Sequence, residues 1–122
     1  MKIILTGKNF KLTPSLKSYV TDKISHLEKY YREILKAKVE LDFDRNQKSG
    51  DINRVEIWLY LPEKTLETGI KASEMHEAID LAYEKIANQL IRYKEKKYSR
   101  RMRKLRKSSD KNFDKSYPQA SK

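Results

Sequence analysis

The side chains with the clearest chemical capacity are ten lysines and arginines crowded into residues 92–107, where the only acid is Glu95. Residues 1–91, in contrast, hold fifteen cations and fourteen acids, so a nearly neutral body precedes a concentrated positive charge. Cations at this density repel one another, and they gain most by neutralising a polyanion and releasing its counterions. The charge distribution therefore predicts a phosphate-rich partner, although a merely solubilising extension is the alternative interpretation.

A second set of polar side chains lies beside the apolar stripes of two predicted helices. The set comprises Lys85, Asn88, Arg92 and Lys96 on the later helix, and Lys23, His26 and Lys29 on the earlier one. Long cationic side chains in such positions can lie along apolar surface and present their charge outward. Two helices packed side by side would join these rows into one basic groove, whereas an ordinary solvated helix face remains the alternative for the later row.

Other kinds of chemistry find little support. Glu40, Asp42 and Asp44 alternate along a predicted strand, and such carboxylates can bind magnesium, but solvent-facing acids on a strand are the favoured interpretation. His26 and His76 fall on separate helices, cysteine is absent, and the three glycines are isolated. No serine sits in a nucleophile motif. We therefore expect no catalysis, no metal, no cofactor and no small-molecule substrate.

The elements that must position these residues follow from the hydrophobic periodicity. Alternating or β-branched runs predict strands at residues 2–6, 39–43, 55–61 and 66–70. Helices are predicted to begin at Thr13-Pro14 and at Ser73, with apolar stripes that extend to Ile34 and Tyr93. The order β-α-β-β-β-α predicts an α+β fold with a four-stranded mixed sheet and both helices on one face. The helix between the first two strands requires those strands to be parallel.

The chain is expected to divide into one α/β domain at residues 1–97 and a basic, disordered extension at residues 98–122. Beyond Tyr93 no apolar stripe is evident, so the basic run is expected to leave the core as a solvated helical extension. A polar loop is predicted at residues 46–51. The longest apolar runs, residues 3–5 and 57–61, are too short for a membrane span or a signal peptide. With no cysteine to form disulfides, a cytoplasmic location without membrane partners is predicted.

The open face of the sheet is predicted to be acidic, and therefore to repel phosphate. Its expected side chains are Glu40, Asp42, Asp44, Glu56, Glu67 and Lys71, together with Trp58 and Tyr60. RNA would accordingly meet the helices. Trp58 and Tyr60 could stack bases, but their acidic neighbours favour plain cross-strand packing.

Five segments, taken in order, resemble the ribosome hibernation promoting factor and ribosome-associated inhibitor family. They are residues 4–9 (ILTGKN), 12–14 (LTP), 27–30 (LEKY), 75–80 (MHEAID) and 85–90 (KIANQL), and the resemblance covers residues 1–97. It implies a β-α-β-β-β-α fold related to double-stranded RNA-binding domains. It also implies a protein that binds the small ribosomal subunit and its rRNA in the decoding region. There it would block mRNA and tRNA and inhibit translation in idle, stressed cells.

The resemblance also implies which residues contact RNA. The matching basic positions are Lys23, Lys29, Lys85, Arg92 and Lys96, with Gln89 at a typical glutamine. His26 and Asn88 depart from the family pattern, because lysine and arginine are frequent at those two positions. We add Lys97, Arg100 and Arg101 of the basic run, which we expect to compensate for the lost charges. Long family members carry a further dimerisation domain, so this chain is expected to be a short form.

Two other functions stay open from the residues alone. A stand-alone double-stranded RNA-binding protein would recognise the shape of the A-form helix without a ribosome. An interaction module would instead hold a protein partner on the open sheet face through Trp58 and Tyr60. The sequence leaves undecided whether the protein promotes or prevents the pairing of ribosomes.

Overall fold

The structure, a computed structural model, describes residues 1–9, 11–44 and 52–112, with side chains described as far as residue 106. Its elements are β1 (Lys2–Lys8), α1 (Pro14–Ser25), a 3-10 helix (His26–Lys29), β2 (Lys36–Asp44), β3 (Ile52–Tyr60), β4 (Thr65–Ala72) and α2 (Met75–Asn112). The predicted β-α-β-β-β-α order and α+β class are confirmed. The loop predicted at residues 46–51 and the last ten residues of the chain lie outside the described residues.

The four strands form one mixed sheet in the order β1-β2-β3-β4. β1 runs parallel to β2, as the intervening helix requires, and the other neighbours are antiparallel. Alternate residues of β2 and β3 are almost fully buried, and Val39 faces Ile57 across the ladder. Because side chains alternate between the two faces of a strand, this burial defines a single core face.

Both helices contribute an apolar stripe to the core. Val20 and Ile24 of α1 are buried, as are Ile79, Ile86 and Leu90 of α2, at the spacing of one helix face. The start of α1 is fixed locally, because the Thr13 hydroxyl accepts a hydrogen bond from the Leu16 backbone N–H at 3.1 Å. Pro14 follows at the first helical position, where its missing N–H costs no hydrogen bond.

The predicted extent of the first helix is wrong. The apolar spacing continues to Ile34, but α1 ends at Ser25 and the chain tightens into the 3-10 helix. The Ser25 hydroxyl donates to the Asp22 carbonyl at 2.8 Å, a local bond of the kind that competes with regular helix. Tyr31 and Ile34 are nevertheless buried. The apolar pattern therefore predicted correctly that these residues are buried, but not that they are helical.

The second helix extends past its buried stripe, as expected for a basic run that leaves the core as a solvated helical extension. α2 continues to Asn112, so residues 98–112 are helical although the segment 98–122 was expected to be disordered, and the predicted boundary at residues 97/98 lies inside this helix. Residues 92–112 contain no glycine or proline and are rich in lysine and arginine, which favour helix. The chain divides into two compact units at a different position from the predicted boundary. The first unit is Met1–Ile91, and the second begins at Arg92.

The second unit also carries an apolar stripe that the sequence analysis missed. Tyr98, Met102 and Leu105 are exposed to solvent by 64%, 37% and 54%. Their spacing of four and then three residues puts them on one side of the helix. The expectation that no stripe continues past Tyr93 is therefore wrong.

The open sheet face was predicted to be acidic, and this prediction is wrong. The face is mixed in charge. Four lysines and an arginine lie on the same face as the five acids. These cations are Lys8, Lys36, Lys38, Arg54 and Lys71. Lys8 and Arg54 pair directly with acids: the Lys8 Nζ lies 3.5 Å from a Glu40 carboxylate oxygen, and the Arg54 guanidinium lies 3.8 Å from Asp44. The prediction failed because it counted the acids of β2 without the lysines that alternate in phase with them.

We expect Thr13→Ala to lower the free energy of unfolding by about 1 kcal/mol, because the first turn of α1 loses its capping acceptor. Urea unfolding monitored by circular dichroism measures the change. Thr13→Ser keeps the hydroxyl and serves as the matched control. Equal midpoints for Thr13→Ala and the parent chain would contradict the assigned role of this cap.

Candidate nucleic-acid interface

A cross-helix cluster in the first unit ties α1 to α2 through one carboxylate. The Tyr19 hydroxyl donates to Asp80 Oδ1, and the Lys23 Nζ lies 2.9 Å from the same oxygen. The Lys23 ammonium also lies 5.5 Å from the centre of the Tyr19 ring and 5.4 Å from that of Tyr83. Distances of this size allow an attraction between the cation and the ring faces.

The cluster shifts the ionisation of its members. The hydrogen bond from Tyr19, and then the one from Lys23, lowers the pKa of Asp80 below its ordinary value. The hydrogen bond to Asp80 raises the pKa of both Lys23 and Tyr19. Lys23 is therefore a cation whose charge is shared with an adjacent anion, and it offers phosphate less net attraction than a solvated lysine would.

A cleft of about 270 Å³ opens beside this cluster, lined by Tyr19, Asp22, Lys23, His26 and Tyr83. Burial, and next the neighbouring Tyr30, raises the pKa of the Tyr83 hydroxyl, so this group is neutral at physiological pH. The Tyr19 ring makes an edge contact with His76, with the ring centres 4.8 Å apart. Two tyrosine rings thus line an opening whose surface is mainly apolar, with Lys23 and Asp22 as its charged residues.

Most of the other candidate residues of the first unit have exposed side chains, and one has a side chain that is hydrogen-bonded within the protein. His26 and Lys29 are exposed on the 3-10 helix, and Lys85 and Asn88 are exposed on α2. Gln89 is half-buried, and its side-chain amide donates to the backbone carbonyl of Glu67 in β4 at 3.1 Å. That bond ties α2 to the outermost strand and leaves this amide less able to reach a ligand.

The second unit contributes the remaining candidates from the later part of α2. Arg92, Lys96, Arg100 and Arg101 are exposed, and Lys97 is half-buried. Because these residues spread over about half of the helix circumference, they form a broad basic face instead of one narrow row. Within residues 92–106 the sole acid is Glu95.

The sequence indicates the cations but does not indicate the residues that organise them. Tyr19 and Lys23 are four residues apart, and Asp80 and Tyr83 are three apart, so each pair shares a helix face. That spacing was the available signal, but it does not reveal that the two faces meet. Among the residues that the structure describes, no cluster of three or more histidines and acids could hold a metal ion. Nor is any helix within that part of the chain long and apolar enough to cross a membrane.

Helices that shield one face of a mixed sheet and carry exposed cations define a small α+β domain with a strongly basic helical surface. Residues 3–98 match the model of the family described as Sigma 54 modulation protein / S30EA ribosomal protein. The chain therefore belongs to this family of ribosome-associated hibernation factors.

Individual relatives agree with this assignment. The chain is 28% identical over 96 residues to Ribosome hibernation promoting factor of Klebsiella oxytoca, which covers 79% of this chain and 96% of the relative. It is 28% identical over 111 residues to Ribosome hibernation promotion factor of Picosynechococcus sp., which covers 90% of this chain. The match spans only 58% of that relative's length.

A solved structure matches in fold as well. The crystal structure of the N-terminal domain of Thermus thermophilus Protein Y superposes with a TM-score of 0.68 and 29% identity. The match covers 76% of this chain and 99% of the Thermus chain. The fold therefore recurs in a second member with a measured structure.

We expect Asp80→Asn to flatten the acid side of the stability profile. The pKa of Asp80 is lower in the folded state than in the unfolded state, so the charged carboxylate stabilises the folded state. This stabilisation is complete above about pH 4, the ordinary pKa of an aspartate. It is lost as the pH falls through the lowered value. Since the Asp80 side chain is 47% exposed, solvent screening keeps the contribution below about 1 kcal/mol.

Urea unfolding at pH 6, 4 and 2.5 provides the measurement, and Glu84→Gln, which changes an exposed acid of the same helix, is the matched control. The parent chain and the control are expected to lose more stability on acidification than Asp80→Asn. Parallel profiles for all three proteins would show that the cluster contributes nothing.

Proposed function

We propose that this protein is a stasis factor of idle ribosomes, which occupies the decoding region of the small subunit in the cytoplasm. Occupation of that region blocks mRNA and tRNA and so inhibits translation without any bond being made or broken. Membership of the hibernation-factor family supports the ribosomal partner. The observation that carries the RNA-binding role is the set of exposed cations on both helical regions, described above.

Electrostatic attraction supplies the binding energy in this mechanism. Ribosomal RNA presents a dense array of phosphates, and each lysine or arginine that neutralises one of them releases counterions. Lys29 and Lys85 of the first unit act in this way, as do Arg92, Lys96 and the later cations of the second. His26 and Asn88 supply hydrogen-bond donors without a fixed charge.

Three candidates take different roles in the proposal. Lys23 contacts RNA weakly, since its ammonium is already paired with Asp80 at 2.9 Å. Gln89 holds α2 against β4 and acts on binding through that position. Lys97, Arg100 and Arg101 belong to the second unit and replace the charge that His26 and Asn88 lack.

Competition on purified small subunits tests the proposed site. We expect the protein to sediment with empty 30S particles at low salt, and to be displaced when mRNA and tRNA fill the decoding region. The readout is the protein found in the pelleted particles. Binding to filled and empty particles alike would place the protein elsewhere on the subunit. Failure to bind 30S, with tight binding to free duplex RNA, would support the stand-alone RNA-binding alternative.

We expect Lys85→Ala/Arg92→Ala to weaken binding to 30S by about 1–3 kcal/mol, because two exposed cations are lost. The salt dependence should also become shallower, since fewer counterions are released. Titration of labelled protein with 30S at several salt concentrations measures both quantities.

Lys64→Ala/Lys71→Ala is the matched control, because it removes the same charge from an exposed loop and from the exposed edge strand β4. If the control weakens binding as much as Lys85→Ala/Arg92→Ala does, only the net charge matters and the assigned interface is wrong.

A further inference from the structure

The cleft beside the Asp80 cluster has the size and lining of a site for one flat aromatic group. Its volume of about 270 Å³ lies just below the roughly 300–1,000 Å³ typical of pockets for drug-sized ligands. Tyr19 and Tyr83 supply ring surface, and His26 supplies a third ring. A planar heterocycle can stack on such rings, whereas a phosphate gains nothing from them.

Polar groups at the same cleft match the edge of a nucleobase. The Lys23 ammonium, although paired with Asp80, has two further N–H donors, the Asp22 carboxylate is an acceptor, and both residues line the opening. The edges of the bases present donors and acceptors side by side, and proteins read unpaired bases by combining stacking with such hydrogen bonds. Asp80 holds the Lys23 ammonium in place before any ligand arrives.

The charges around the cleft favour a nucleic acid as the source of that base. Lys29 lies one 3-10 turn beyond His26, which lines the cleft. Lys29 is exposed, so a phosphate next to a bound base has a cation available. A base inside a duplex is stacked and paired, and only an unpaired one can enter a cleft of this kind.

We propose that the cleft formed by Tyr19, Asp22, Lys23, His26 and Tyr83 binds one unstacked nucleobase of a single-stranded RNA segment. This inference deepens the proposed function, on which it rests for RNA as the ligand. Phosphate contacts hold the strand, and the inserted base fixes its register on the helices. Binding through the cleft therefore depends on a base as well as on charge.

Two synthetic RNA hexamers with identical phosphates test the proposal on the full chain. One carries abasic sugars throughout, and the other carries a single adenine at its third position. The expected result is that the adenine strand binds roughly tenfold more tightly in a fluorescence-anisotropy titration, the scale of one stacked base. Equal affinities for the two strands would overturn the proposal.

Two variants locate the preference. Tyr83→Leu removes a ring from the cleft and should abolish the difference between the strands, while Tyr83→Phe keeps the ring and should preserve it. Trp58→Leu removes a half-exposed aromatic of β3 that does not line the cleft, and should also preserve the difference. Urea unfolding confirms that each variant is folded. A preference lost with Trp58→Leu, or retained with Tyr83→Leu, would overturn the assignment.

The outcomes separate this inference from the proposed function. If the strands bind equally while 30S binding and its competition by tRNA persist, the cleft is not a base site and the stasis function stands. If the strands differ as expected while 30S particles are ignored, the base site stands and the ribosomal role fails.

Discussion

The apolar faces of β2 and β3 must be shielded from water, and this constraint determines where the charged side chains can lie. Val39, Leu41 and Ile57 are almost fully buried, and the helices provide apolar stripes for the same core. Each helix in the first unit therefore turns its remaining sides to solvent, and its cations occur there. Asp80 then connects α2 to α1, because its carboxylate is the shared partner of two side chains of α1. The arrangement of the helical surface thus follows from the core and one carboxylate.

Features set by neighbouring residues were predictable from the sequence. The strands, the parallel crossover and the start of α1 depend on alternation, on chain connectivity and on Thr13-Pro14. The end of the first helix was not predictable in this way. Burial of Tyr31 continues without helix, because apolar periodicity was taken as a measure of helix although the two are separate physical quantities. The region around Arg100 is helical and exposed, as expected of a solvated helical extension, but periodicity could not show how far that helix runs.

The candidate site was predictable in composition but not in pairing. Helical spacing identified Lys23, and the family resemblance identified Gln89, yet neither could show that Lys23 lies against Asp80 or that Gln89 bonds to β4. These partners are more than twenty residues away in the chain, and only the fold brings them together. The mixed charge of the open sheet face was missed for a different reason: the alternation of β2 already puts Lys36 and Lys38 on the face of its acids, and the strand was taken to start too late to include them.

The close spacing of cations along the later part of α2 has a thermodynamic consequence. Arg100 lies four residues from both Lys96 and Lys104, and like charges at that spacing each destabilise a helix by about 0.2–0.5 kcal/mol. Any anion that neutralises them strengthens the helix, and by reciprocity a stiffer helix holds the anion more firmly. Order in this segment and affinity for its partner are consequently one linked equilibrium, and ionic strength acts on both at once.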